Sequence, residues 1–341
     1  MEEREIVKGA SLWKDAWKRL LKNKLAVFGL IVVALTAVAV IVGPAIIEWT
    51  TGYTYDSIPS DGSLIRSFPP SLRHPMGSDD QGRDILARVL QGGRISLMVG
   101  VISTIVSLIV GVSYGAIAGY LGGRIDNFMM RVVDVIYSIP YILIVIILLK
   151  FFGDNNLVVF LQWIAESINS VWTGVLGINY KPFSIVWLVN LLNANQGLSQ
   201  ILLLFFALGL VSWLTMARVV RGQVLSLKNQ EFITAARATG VSTRAIIFRH
   251  LVPNTLAPVI VYATLTIPGV MLSEAFLSFL GIGVQAPYAS WGSLALDGIK
   301  NLSIFPWQLI FPGVTMALTL FSLNFLGDGL RDALDPQTRK F

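Results

Sequence analysis

Asp79, Asp80 and Asp84 crowd into HPMGSDDQGRD, the acid density that a calcium site or an acid–base pair requires. The same stretch holds Gly77 and Gly82, which permit tight turns, and either Asp79 or Asp80 can accept backbone N–H groups in an Asx turn. No other part of a catalytic site accompanies these acids. Gly77, Asp79, Gly82, Arg83 and Asp84 therefore read as a structural motif. Two further acids fall in apolar runs. Asp134 lies about one turn inside its run, paired with Arg131 or snorkelling toward headgroups, and Glu274 lies near the end of another, within reach of solvent. The two histidines, His74 and His250, are too far apart for a His-rich metal site. The absence of Cys excludes disulfides, thiol nucleophiles and Cys-ligated metals. There is no G-x-x-x-x-G-K-[ST] phosphate loop, no G-x-S-x-G elbow and no H-E-x-x-H helix. No catalytic, metal or cofactor-binding residue is assigned, and the chain is not read as an enzyme.

The residues that organise the chain are Glu231 to Asn254, EFITAARATGVSTRAIIFRHLVPN. They carry Arg237, Arg244 and Arg249 between two apolar runs, which places them in water on one side of a membrane. The pattern predicts two short helices. Gly240 stands where a left-handed cap ends the first, Ser242 can cap the second, and Pro253 marks where the second must end or kink. Thr234, Ala235, Ala236, Ala238 and Thr239 give the first helix a surface of small side chains, the kind against which another backbone can dock.

The elements that must hold this loop are membrane spans. A composition of 54% hydrophobic and only 13% charged residues is far from that of a soluble domain, so the 341 residues form one polytopic membrane domain. Residues 1–24 include a basic segment with Leu12, Trp13, Ala16, Trp17, Leu20 and Leu21 at helical spacing, an interfacial helix on the lipid surface. Spans are expected at 25–47, about 95–121, 129–152, 201–220, 255–280 and 306–326. A short helix follows Asp84 and precedes the second span, with Ile85, Leu86, Val89 and Leu90 on its apolar face and Asp84, Arg88 and Gln91 on the polar face opposite; Pro140 kinks the third span, and Pro258 and Pro268 can kink the fifth. Gly111, Gly115 and Gly119 repeat every four residues, the spacing of close helix approach in lipid. Residues 153–200 are apolar in pieces too short to span and broken by Glu166, Lys181, Pro182 and several Asn. They read as an insertion outside the membrane with interfacial helices, or as a hairpin dipping into it. Most of the 26 Lys and Arg fall in segments 1–24, 122–131, 218–250 and 331–341. That bias puts both termini in the cytoplasm with an even number of spans, and it explains the net charge of +6 without nucleic acid.

AARATG followed by HLVPN resembles the "EAA" loop of permease subunits of binding-protein-dependent ABC importers, specifically the dipeptide/oligopeptide branch. Ala235 and Ala236 match its Ala pair, Gly240 its Gly and Pro253 its Pro, while Thr234, His250 and Val252 stand where the general pattern has Glu, Ile and Leu. G-S-D-D-x-G-R-D, AGYLGGRIDNFMMRVVD and SEAFLSFLGIGVQAPYASWGSLALDG are also similar to peptide-permease wording. The resemblance covers about residues 12–153 and 207–336. In such permeases the third span passes into the fourth after a few residues, so 153–200 is a departure.

The resemblance implies an all-α membrane protein with six transmembrane helices, the type I ABC importer permease fold, with an extracytoplasmic insertion between spans three and four. It implies half of a translocation pathway for peptides or oligosaccharides in the cell (inner) membrane. The implied partners are two ATP-binding subunits, a second permease and an extracytoplasmic substrate-binding protein. Glu231, Thr234, Ala235, Ala236, Arg237, Gly240 and Pro253 would form the coupling surface for an ATP-binding subunit, with Arg237 reaching an acidic partner surface or a lipid headgroup. A self-contained secondary transporter or channel is the alternative. It would place acids or broken helices at mid-membrane and show repeat symmetry, neither of which is clear here.

Overall fold

The computed structural model describes residues 12–58, 67–153 and 196–334, with scattered positions between 156 and 170. About two thirds of the expected insertion 153–200, including all of 171–195, therefore lies outside the described residues. Those that are described form helices and loops, and among them the backbone pairs strand-like only at one bridge, Ser78 to Asp84.

Among the described residues, ten helices of eight or more residues carry the architecture. They are α1 (Leu12–Leu20), α2 (Lys24–Thr51), α3 (Ile85–Leu121), α4 (Gly123–Ser138), α5 (Tyr141–Phe152), α6 (Gln196–Leu227), α7 (Glu231–Ala238), α8 (Leu256–Phe279), α9 (Trp291–Lys300) and α10 (Trp307–Leu334). Five are long and apolar enough to cross a membrane, and a sixth span results if α4 and α5 count as one.

Local chemistry sets the ends of these helices. The Asn23 side chain accepts from the N–H groups of Leu25 and Ala26 to start α2, and Gly52, at φ +73°, stops it. The Asp84 carboxylate accepts from the Ala87 N–H at 2.8 Å to start α3. The separate short helix expected from Ile85 is instead the first two turns of α3, because nothing in ILARVLQGGRISL breaks the backbone hydrogen-bond ladder. At 37 residues this helix is about 55 Å long, well beyond a bilayer's hydrocarbon core. The sixth apolar helix likewise continues past its expected end, to Leu334.

The third apolar segment departs furthest from expectation. It is two helices meeting at 87° rather than one kinked span. Pro140 has no N–H to donate and forces Ile139 into an extended conformation (φ −84°, ψ 132°), which ends α4 one residue earlier. Asp134 pairs with Arg218 of α6 at 2.8 Å, not with Arg131.

Packing centres on α3 against α6. A Cβ on Gly115 would lie 2.3 Å from the Ala217 carbonyl oxygen, so only hydrogen at that position permits the observed approach. The Ser103 hydroxyl donates to the Phe205 carbonyl across the same seam at 2.8 Å. One apolar cluster gathers Val99, Val145, Phe205, Leu208 and Leu277; another, at the opposite end, gathers Val220, Val224, Ile233, Ile246 and Leu251. The first helix packs more firmly than a surface-lying segment. Ala16 and Leu20 are buried against Ala26 and Ala333, while Trp17 and Leu21 stay exposed.

Candidate functional site

Two features stand out in this frame: the loop between α6 and α8, and a cleft at the α4–α5 break.

In the loop, α7 buries Ile233 and Ala236 among Val220, Val224, Ile246 and Leu251. Glu231, Thr234, Ala235, Arg237, Ala238 and Thr239 face outward. Ala236 therefore belongs to the fold's interior and leaves the expected small-residue surface, because i and i+3 positions share a helix face and Ile233 defines the inward one. The helix stops in a Schellman motif. Gly240 takes φ +79°, its N–H bonds the Arg237 carbonyl at 3.0 Å, and the Val241 N–H bonds the Ala236 carbonyl at 3.1 Å. Ser242 then caps the next turn by accepting from the Ala245 N–H.

Pro253 does not stop the following helix at its own position; the helix ends one residue later, at Asn254. Ile246–Leu251 opens into a π-helical turn, in which the Val252 N–H reaches back to the Ile247 carbonyl, and the chain stays helical through Pro253. The wider turn accommodates a residue with no N–H of its own, and the Asn254 side chain satisfies the His250 carbonyl at 2.6 Å.

Side-chain struts tie the loop to α3. The Arg237 guanidinium carbon lies 5.1 Å from the centre of the Tyr120 ring, and its Nε points at the Tyr120 hydroxyl 3.3 Å away. Lys228 donates to the Gly119 carbonyl at 3.1 Å. The position read as a contact to a partner or a headgroup thus also serves an internal role.

At the other feature, the right-angle break between α4 and α5 opens a cleft of about 670 Å³ bounded by α6 and α8. Among the described residues, none that is charged lines it. Its polar groups are hydroxyls, among them Tyr137, Tyr141, Ser212, Thr215, Tyr262 and Thr266. Arg218 sits at its rim, its charge engaged by Asp134 and its guanidinium carbon 4.4 Å from the Tyr137 ring centre. These residues were not singled out from sequence. A signal was present in the 262, 266, 269, 273 spacing, one small or polar stripe down an otherwise apolar helix.

The G-S-D-D-Q-G-R-D segment is a compact knot beside the start of α3. One Asp79 oxygen accepts from the N–H groups of Gln81 and Arg83, and the other takes the Arg83 Nε at 2.7 Å and the Arg88 guanidinium. Arg88 is buried there, although its helical position had suggested a polar surface. Asp84 pairs with His74 at 2.7 Å. Gly77 and Gly82 adopt φ +73° and +87°. Glu274, expected near solvent, is instead buried in α8 with one oxygen bonded to the Ser278 hydroxyl at 2.6 Å. The segment after α8 folds back over that acid, with Ser290 and Trp291 fully buried beside it.

Residues 111–340, which include the loop and most of the cleft, match the family model described as binding-protein-dependent transport system inner membrane component. The chain belongs to this family. Residues 11–70 match a second model, the N-terminal TM domain of oligopeptide transport permease C. Among similar proteins, the oligopeptide transport system permease protein OppC of Escherichia coli strain K12 is 44% identical over 338 residues, covering 99% of this chain and 95% of that protein. OppC of Haemophilus influenzae is 41% identical over 340 residues, covering 99% and 93%. The dipeptide transport system permease protein DppC of Bacillus subtilis is 39% identical over 341 residues, covering 99% and 90%.

As an inner membrane component of a binding-protein-dependent system, the chain is a multi-pass permease subunit that contributes to a translocation pathway. A self-contained secondary transporter is not favoured.

Proposed function

We propose that this chain is one of two permease subunits of an ABC importer for peptides, powered by ATP hydrolysis in separate subunits. The carrying observation is near full-length similarity to proteins named as oligopeptide and dipeptide permeases. Both termini and α7 lie in the cytoplasm, and the Asp79 knot faces the opposite side, where a binding protein delivers cargo. The positive-inside distribution of Lys and Arg supports this orientation. The second permease completes the pathway across the cleft.

In this reading the exposed positions of α7 meet an ATP-binding subunit. Glu231, Thr234, Ala235 and Arg237 form the contact. Gly240 and the π turn before Pro253 fix the angle at which the loop leaves the membrane. Closure of the two ATP-binding subunits displaces α7, and the Tyr120 and Gly119 contacts hand that displacement to α3 and α6. These helices line or back the cleft, so its two ends open in alternation.

The absence of native Cys makes the test direct. Ala235→Cys is the sole thiol of its chain, and cross-linking it in native membranes, followed by mild extraction and mass spectrometry, identifies its neighbour. Recovery of an ATP-binding subunit, together with a second permease in the same particle, is the expected result. Recovery of the chain alone, with peptide uptake insensitive to ATP depletion, overturns the reading.

A further inference from the structure

Four hydroxyls of the cleft are already committed as donors. Ser138 donates to the Val135 carbonyl at 2.7 Å, Ser212 to Leu208 at 2.9 Å, Thr266 to Tyr262 at 2.8 Å and Ser273 to Gly269 at 2.9 Å. Each bond turns the hydroxyl hydrogen back into its own helix. At these four positions what remains for the cleft is oxygen lone pairs, since a hydroxyl has a single hydrogen. Tyr141 and Ser273 have their oxygens 3.4 Å apart, and with the Ser273 hydrogen engaged, Tyr141 is the donor of that pair. Aliphatic surface from Ile144, Leu265 and Val270 separates these oxygens, and among the described residues no lysine, arginine or carboxylate lines the space.

The geometry points to a subsite that accepts hydrogen bonds from the main-chain N–H groups and terminal ammonium of a peptide while making no charge-selective contact with its side chains. It rests on the peptide reading above. An extended peptide carries one N–H per residue whatever its sequence, and leaving such a donor unpaired in an apolar passage is costly. A row of acceptors on apolar walls meets that common need. Side chains of either sign meet no fixed charge on these walls, and the Arg218 at the rim is held in its ion pair with Asp134. The site therefore discriminates by main-chain donors and not by sequence.

The test uses the complete transporter reconstituted in vesicles, with its binding protein loaded to saturation in single-turnover uptake. The probes are tri-alanine and tri-alanine methylated at both amide nitrogens. The wild-type complex is expected to move the unmethylated peptide about tenfold faster, the scale of one or two hydrogen bonds. Thr266→Val with Ser273→Ala is expected to bring the two rates within about twofold, and Thr266→Ser with Ser273→Thr to restore the difference. Equal wild-type rates for the two peptides overturn the subsite without need of any variant. So does a Val/Ala variant that keeps the full difference. ATP-dependent uptake of neither peptide by the wild type overturns the peptide reading itself, which separates the two failures.

Discussion

Arg221 grips Asp126 through two parallel bonds, Nε to Oδ1 at 2.5 Å and Nη2 to Oδ2 at 2.7 Å, joining α6 to the first turn of α4. The Asp126 side chain is nearly buried, while that of Arg221 is 32% exposed. A fork-to-fork pair of this kind fixes direction as well as distance, which a lysine cannot reproduce. Arg221→Lys is therefore expected to behave much like Arg221→Ala. Asp126→Ala should cost ~2 kcal/mol, below the cost of breaking a fully buried pair because water reaches the guanidinium. Thermal unfolding of the purified subunit or complex checks both.

Arg237 on Tyr120 separates packing from hydrogen bonding. Tyr120→Phe keeps the ring and loses the hydroxyl, so uptake per ATP hydrolysed should stay near wild type. Tyr120→Ala removes the platform that holds α7 to α3. The contact is exposed, worth ~0.5–1 kcal/mol, so the chain should still fold while uptake per ATP falls several-fold. Equal coupling ratios for Ala and Phe would remove the strut from the mechanism.

Gly240 adopts φ +79° with open space around the position of a Cβ, so its constraint is conformational and not steric crowding. Gly240→Asn, which tolerates the left-handed region, should retain uptake. Gly240→Val should lose ~1–2 kcal/mol locally and unwind the end of α7. Uptake in vesicles then falls while ATP hydrolysis persists.

Gly115 is the opposite case, an ordinary helical conformation with no room. Its Cβ would meet the Ala217 carbonyl, a backbone atom that moves only if α3 and α6 separate. Gly115→Ala should cost ~1–3 kcal/mol, and Gly115→Leu should abolish stable expression. Gly269, with nothing near its Cβ, is the control, and Gly269→Ala should leave thermal stability unchanged.

Asp79 serves two arginines at once, and Arg88 is buried with it. Asp79→Ala leaves Arg88 without a counter-charge inside the fold and should cost ~3–5 kcal/mol, enough to lower membrane yield sharply. Arg88→Met with Asp79→Leu removes both buried charges together and should recover part of that loss. Yield and melting temperature of the three chains decide it.

Much of this was legible because lipid imposes strict rules on sequence. Charge-free runs marked the long helices, and Gly240 and Ser242 announced their caps through backbone chemistry that needs no tertiary context. Asp134, Arg88 and Glu274 were misread for one shared reason. A polar side chain declares its demand for a partner, but which neighbour, near or distant in the chain, answers that demand depends on packing. Arg218, Asp79 and Ser278 supply the answers from 84, 9 and 4 residues away. Pro140 was seen as a kink, yet the size of the bend depends on what fills the corner, and here a cleft does. The cleft's hydroxyls went unnoticed because those of Ser138, Ser212, Thr266 and Ser273 bond within their own helices and so break no pattern of apolar periodicity.

The uninterrupted length of α3 has a mechanical consequence. One end grows out of the Asp79 knot and the other carries Tyr120 beneath Arg237. A rigid rod of about 55 Å that tilts by about 5° about one end shifts the other by about 5 Å, the pitch of one helical turn. Events on the two faces of the membrane are thereby geared to one another through a single covalent shaft. In the proposed assembly, cargo arrival at one face and nucleotide occupancy at the other would need no relay of loosely coupled parts to keep time.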